Sequence, residues 1–304
     1  MTTLPADSTP TPDAPVAVAA QGSVSPRRAA WRRFRRNPRA VLGLIVLIAV
    51  TLLVIIAPLL TPSPTAVDLL AVNQPPGGAH PLGTDGTGRD VWSRLVNGGR
   101  VSLLVGYSTA AVAVLVGVFL GTLSGYLGGA ADTVIMRVAD LFLSIPAVVV
   151  AIVLAGIFGP SLPMLVGVIA GFSWPNSCRI ARSAVLSLKE LDYVAASRSM
   201  GASIGWIQLK HLLPGVLPPI TVAGTLLVAE AILTEAALSF LGVGVVPPTP
   251  SWGNMLLEAQ SLTTISARPW LWVPPGLAIA VTVLAINALG DGLGDVFDPR
   301  QTER

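Results

Sequence analysis

Residues 190–214 read ELDYVAASRSMGASIGWIQLKHLLP, the one long polar interval in an otherwise apolar second half of the chain. The pattern predicts two short helices meeting at a glycine. Leu191, Val194, Ala195 and Met200 can share one helical face, and Ala195, Ala196 and Ser197 leave a small-residue surface for the close approach of another body. Gly201 suits the left-handed residue that ends a helix, and Ser203 suits the cap of the next. Ile207, Leu212 and Leu213 then recur at helical spacing until Pro214 closes the segment. Between two apolar spans such a pair is either a docking element or a plain surface connection, and the local pattern leaves both open.

Working outward, the chain is 52% hydrophobic and only 12% charged, whereas a soluble domain carries about 25% charged residues. It belongs in a membrane. Uncharged runs occupy 40–60, 101–131, 141–178 and 269–290, and a fifth apolar region, 216–241, contains two glutamates. Gly159, Pro160 and Pro163 split the 38-residue run. The expectation is an all-α membrane protein of six transmembrane helices near 40–60, 102–126, 138–158, 163–182, 216–241 and 269–290. The first run has 21 residues and would span roughly 30 Å as a helix. Arginines followed by an apolar run also suggest a secretion signal, including the twin-arginine type, but a cleavable signal has an apolar core of about 7–15 residues. An uncleaved anchor is expected. Pro146, Pro175, Pro218, Pro219, Pro274 and Pro275 fall within spans, which suits helices kinked around a cavity.

Residues 1–26, rich in Thr, Pro, Ala and Ser, lack apolar periodicity and are expected to be disordered. With the seven arginines at positions 27–39 they form a basic tail, 1–39. With the N-terminus inside, fifteen basic residues fall on the cytoplasmic side and four, Arg89, Arg94, Arg100 and Arg268, outside. The positive-inside rule therefore predicts cytoplasmic termini, a cytoplasmic 188–214 element, an extracytoplasmic loop 61–100 and a short C-terminal tail, 292–304. Asp140, three residues after Arg137, is expected to pair with it along one helix.

Several function classes recede on composition. The net charge of +3 lies between apolar runs rather than on a soluble face, so nucleic-acid binding is not expected. One cysteine, Cys178, excludes an internal disulfide and a cysteine cluster, and His80 and His211 are far apart, so no metal site is expected. Seventeen arginines against two lysines, with abundant Ala, Val and Gly, suggest a GC-rich bacterial source. A phosphate-binding loop needs G-x-x-x-x-G-K-[ST], yet Lys189 follows Leu188 and Lys210 follows Leu209, so this chain is not an ATPase.

Two external stretches stand out. HPLGTDGTGRDVWSRLVNGGRVSLLVG (80–106) offers turns and a short interfacial helix around Val91, Trp92, Leu95 and Val96. His80, Asp85 and Asp90 invite a hydrolytic reading, but no serine or cysteine nearby has a recognisable nucleophile setting. LSFLGVGVVPPTPSWGNML (238–256) is stiffened by Pro247, Pro248 and Pro250, with Trp252 placed as an interfacial anchor. Within the fifth span, Glu230 and Glu235 are costly at membrane depth, which marks both as candidates for a translocation pathway. Five residues turn a helix by about 140°, so the two do not share a face, and Glu230 is the one expected to face the pathway.

Tyr193-Val194-x-Ala196, Gly201-Ala202-Ser203 and Leu213-Pro214 resemble the EAA loop of binding-protein-dependent ABC transporter permeases. Ala195 stands where that family usually has a glutamate, and Ser197 replaces its second alanine. The 80–106 stretch is similar to the opening signature of the C-type permease subunit of the dipeptide, oligopeptide and nickel importers, and 238–256 and GLGDVFDPR (292–300) extend the likeness from Trp31 to Arg300. The resemblance implies a type I importer permease fold in the bacterial cytoplasmic membrane, with docking through Tyr193, Val194, Ala195, Ala196, Gly201, Ala202 and Ser203. It also implies extracytoplasmic roles for Asp85, Arg89, Asp90 and Trp252. Implied partners are a homologous second permease, two ATP-binding domains, an extracytoplasmic peptide-binding protein and membrane lipid. No cofactor is implied in this chain; ATP and Mg belong to the partner subunits. Peptide is the expected substrate; the alternatives are nickel or another small solute, or, in a different class, a proton-coupled secondary transporter working through Glu230 and Glu235.

Overall fold

The computed structural model describes residues 26–297, and among these the regular structure is helical. In order it comprises α1 (Pro26–Arg36), α2 (Pro38–Ile56), α3 (Val91–Leu127), α4 (Gly129–Ser144), α5 (Ala147–Phe158) and α6 (Leu162–Leu188). There follow α7 (Asp192–Ser199), α8 (Ile204–Ile207), α9 (Leu213–Phe240), α10 (Trp252–Glu258), α11 (Leu262–Ala267) and α12 (Val273–Phe297). Four helical runs among the described residues are long and apolar enough to cross a membrane: Pro38–Leu59, α3, Ile204–Phe240 and α12. The α4–α5 pair makes a fifth if taken as one span bent by 77°. α6 has 27 residues, but Asn176, Ser177, Arg179 and Arg182 interrupt its apolar course.

α3 is the axis of the packing. Its glycines 117, 121 and 125 recur every four residues and so lie on one face, against α6. A Cβ at Gly121 would meet the Ala181 Cβ at 2.8 Å and the Cys178 carbonyl closer still, and one at Gly125 would meet Val185 at 2.9 Å. Further toward the helix start, Gly106 admits Ile232 of α9, while Gly99 admits Val54 of α2 and Trp252 of α10. Between helices in lipid there is little hydrophobic drive to associate, so such close backbone approach supplies the attraction as van der Waals contact.

Several expectations are corrected. The basic block is helical from Pro26, as α1; residues 1–25, where the disordered tail was expected, lie outside the described residues, as do Arg300 and the end of the 292–300 motif. The short helix expected around 91–96 is instead the first turns of α3, which begins at Val91. The helix expected at 138–158 is broken: Ile145, preceding Pro146, is held extended (φ −104°, ψ 124°), and the chain turns there. The helix expected at 163–182 runs on to Leu188 and the one expected at 269–290 to Phe297. Pro214 does not close a helix. A π-helical turn at Gln208–Leu212 widens the backbone just ahead of it, and the helix continues from α8 into α9.

The α3 glycines generate a prediction. Gly121→Leu is expected to destabilise the protein by about 1–3 kcal/mol, read as a lowered Tm in detergent. Gly167→Leu, where a Cβ has open space, is expected to leave the Tm nearly unchanged.

Candidate functional site

α7 and α8 build the element that the sequence singled out. Asp192 in the first turn of α7 and Arg198 in the last complement the helix dipole. Gly201 (φ +79°) then ends the helix: its N–H donates to the Arg198 carbonyl at 3.0 Å and the Ala202 N–H to the Ser197 carbonyl at 3.1 Å, a Schellman pair. The Ser203 hydroxyl accepts from the Trp206 N–H at 3.3 Å and so caps α8. Both devices occur where the residues placed them.

The faces differ from expectation. Of Leu191, Val194, Ala195 and Met200, Val194 alone is buried, within a cluster holding Ala181 and Val185 of α6, Ile207 of α8 and Val216 of α9. Tyr193, Ala195, Ala196 and Met200 point outward, Met200 with 80% of its surface exposed. Ser197 faces inward, where its hydroxyl donates to the Tyr193 carbonyl (2.8 Å). That uses its one proton, so the 3.1 Å contact with His211 Nε2 is donated by the imidazole. The ring of His211 is flanked by Tyr193 and Trp206, at centroid distances of 5.3 and 4.9 Å. Arg198 lies over the Tyr126 ring, and Lys189 Nζ donates to the Gly125 carbonyl, so the element is tied to the end of α3. His211 and Ser197 were not legible as partners because fourteen residues and a turn separate them.

The second site lies at the far end of α3. Asp85 Oδ1 accepts from the Thr87 hydroxyl (2.7 Å), Thr87 N–H (2.8 Å) and Arg89 N–H (3.0 Å), and Oδ2 accepts from Arg89 Nε (2.7 Å) and Arg94 Nη1 (2.5 Å). Glu258, at the end of α10, closes the cluster by accepting from Arg89 Nη2 (2.9 Å) and from both terminal nitrogens of Arg94, the Nη2 contact being 2.8 Å. Burial pushes the Asp85 carboxyl up, but the Thr87 and Arg89 hydrogen bonds and the Arg94 charge more than offset it, leaving its pKa below the ordinary value. Asp90 caps α3 through the Ser93 N–H (2.7 Å) and holds His80 Nδ1 at 2.9 Å, so the His-Asp pair is a loop clasp. Arg94 and Glu258 were missed because 164 residues separate them.

Trp252 is not an interfacial anchor. It is 1% exposed, with its indole N–H donating to the Leu95 carbonyl (3.0 Å) and its backbone N–H to Ser102 Oγ (3.2 Å). Ser102 in turn donates to Glu235 Oε2 (2.9 Å) and Ser239 donates to Oε1 (2.7 Å), so Glu235 is enclosed between α3, α9 and α10 rather than facing a pathway. Glu230 is exposed, in a groove with Leu226, Leu233, Thr234 and Asn287. Asp140 pairs with Arg179 of α6 at 2.6 Å, not with Arg137.

Arg94 is 2% exposed, and a buried charge stripped of a partner is strongly destabilising. Glu258→Gln, which leaves Asp85 as the one carboxylate holding Arg94, is expected to cost about 1–2 kcal/mol, measured by thermal unfolding in detergent. Because the folded pKa of Asp85 is depressed, its contribution is present above its ordinary pKa and is lost as pH falls through the folded value. The Tm is expected to drop below about pH 4, and Asp85→Asn to flatten that acid limb.

Residues 117–303 match the family model described as the inner membrane component of binding-protein-dependent transport systems, and residues 25–76 match the N-terminal transmembrane domain of oligopeptide transport permease C. A Brucella suis biovar 1 protein described as a peptide permease is 44% identical over 279 residues, covering 91% of this chain and 92% of that one. The dipeptide transport system permease of Alkalihalophilus pseudofirmus is 39% identical over 293 residues, 96% of each chain. The glutathione transport system permease of Pectobacterium atrosepticum is 41% identical over 279 residues, 91% of this chain and 92% of that one. In fold, an inward-facing structure of the MetNI methionine ABC transporter superposes with a TM-score of 0.52 at 20% identity, covering 65% of this chain and 93% of that one. With the family model matching more than half of its residues, the chain belongs to the inner membrane components of binding-protein-dependent transport systems, the permease subunits of ABC transporters.

Proposed function

We propose that this chain is the C-type permease subunit of an ATP-driven importer that carries di- or oligopeptides across the bacterial cytoplasmic membrane. The observation that carries the reading is the match, over more than nine-tenths of both chains, to relatives described as peptide and dipeptide permeases. Six spans follow if the bent α4–α5 pair is one crossing and α6 another. The fifteen-to-four excess of basic residues favours cytoplasmic termini with α7 on the same side. A homologous permease would complete the pathway, a peptide-binding protein would deliver from outside, and two ATPase domains would bind ATP and Mg.

In this reading the outward face of α7, with Tyr193, Ala195, Ala196 and Met200, seats on an ATPase domain. Val194 and Ser197 face inward and join α7 to the helices that cross. Having alanine at 195 rather than glutamate leaves that contact to shape and apolar area. Closure of the ATPase domains would push α7 and tilt α8–α9 between inward-open and outward-open forms. No covalent chemistry falls to this chain. Glu230, on an open face of the same helix, would favour the peptide's ammonium group, while Glu235 holds the subunit together.

The test is uptake of a labelled dipeptide into proteoliposomes holding this chain with the proteins encoded beside it. Uptake is expected to require ATP and the binding protein; uptake driven by a proton gradient without ATP would overturn the reading. Ala196→Trp is expected to lower uptake at least tenfold at equal membrane abundance while ATP hydrolysis persists, measured side by side. For Glu230→Gln, the expected outcome is a weaker preference for cationic over acidic peptides, read from competition between labelled substrates.

A further inference from the structure

The arginines that open the described chain enter the transport reading only through the charge count that orients the chain. Between Asp13 and Asp68 the sequence holds no acidic residue, while Arg32, Arg33, Arg35, Arg36 and Arg39 are all exposed at the corner where α1 meets α2. α1 is anchored by Phe34, which is 7% exposed and packs with Ala40 and Val296. One turn away, Trp31 stacks on Phe34 at 5.8 Å yet stays 54% exposed, with the Arg35 guanidinium over its ring at 5.0 Å.

Two grooves meet at this corner. The first, of ≈ 470 Å³, is about half polar and lined by Arg33, Arg36, Asn37, Pro38 and Asp295. The second, also of ≈ 470 Å³, is apolar and lined by Trp31, Phe34, Leu44, Leu289, Leu293 and Phe297. Val296 belongs to both. The one carboxylate in the first groove, Asp295, accepts from Asn37 Nδ2 at 2.9 Å. The apolar groove is lined by Leu44 of α2 and by Leu289, Leu293 and Phe297 of α12, and both helices are long and apolar enough to span a membrane.

From this juxtaposition we infer that the α1–α2–α12 corner is a binding site for an anionic phospholipid. The headgroup phosphate sits over Arg36, with Arg33 and Arg39 beside it, and an acyl chain lies in the groove under Trp31. Juxtamembrane arginines attract anionic lipid headgroups, and tryptophan suits the boundary between headgroup and chain. A basic patch alone would fit any polyanion. An apolar groove joined to it, on helices that cross the bilayer, fits an amphiphile.

The test reconstitutes the full chain in phosphatidylcholine nanodiscs and measures, by electron spin resonance, the association of spin-labelled phosphatidylglycerol relative to spin-labelled phosphatidylcholine. Wild type is expected to prefer phosphatidylglycerol, and Arg36→Gln with Arg39→Gln to reduce the preference roughly 5-fold per arginine. Arg36→Lys with Arg39→Lys is expected to retain most of it. Salt at 0.5 M is expected to weaken the wild-type preference, a check that needs no variant to fold, whereas inorganic phosphate at equal ionic strength is expected to displace no more label than chloride. Equal association of the two lipids with wild type, or a preference indifferent to salt, would overturn the site. Displacement by inorganic phosphate beyond that of chloride would overturn it in favour of a free-anion site. The inference rests on α2 crossing a bilayer; a chain that enters nanodiscs but shows no preference refutes the lipid site and leaves the transport reading untouched.

Discussion

The structure depends on one constraint: helices in lipid gain little from hiding apolar surface, because the surroundings are as apolar as their partners. What remains is close contact and a few hydrogen bonds. α3 meets the constraint by carrying glycine at its crossings with four helices, Gly99 for α2 and α10, Gly106 for α9 and Gly117, Gly121 and Gly125 for α6. A 37-residue helix of ordinary side chains would hold its neighbours at a distance; this one admits them to backbone contact.

Two polar nodes, both between α3 and the α9–α10 region, then fix which helices belong together. In one, Ser102 and Ser239 share the carboxylate of Glu235 in a site with no exposed surface. In the other, Arg94 and Arg89 are held by Asp85 and Glu258. A carboxylate at membrane depth, as Glu235 is placed, has few alternative partners, so that node specifies pairing more than it adds energy. Both clamp the same end of α3, one to α9 and the other to α10, while the α7 end is tied by packing around Val194, by the contacts of Arg198 and Lys189, and by Asp132, which holds Ser124 of α3 and Arg182 of α6.

How much of this was legible in the sequence follows from the range of each signal. Gly201 and Ser203 act on backbone groups within five residues, so their roles could be read directly. The apolar runs gave away most of the helices, since the length needed to cross hydrocarbon is a property of one segment. The fate of Glu235, Trp252 and Asp140 was not legible, because each is decided by a helix more than thirty residues away. Pro214 misled for a related reason: a proline usually ends a helix, and a single π turn changes the outcome at no visible cost in composition.

That π turn makes residues 204–240 one continuous rod. At 1.5 Å per residue its length is about 55 Å, and Glu230 stands about 39 Å from the end at Ile204. The rod is a lever whose short handle emerges beside Ser203. Rotating it about that handle by 5° would carry the Glu230 carboxylate through about 3 Å, the width of one hydrogen bond. Pro218 and Pro219, within α9, are where the rod is most easily bent, so the stiffness of that pair would set how much of such a rotation reaches Glu230.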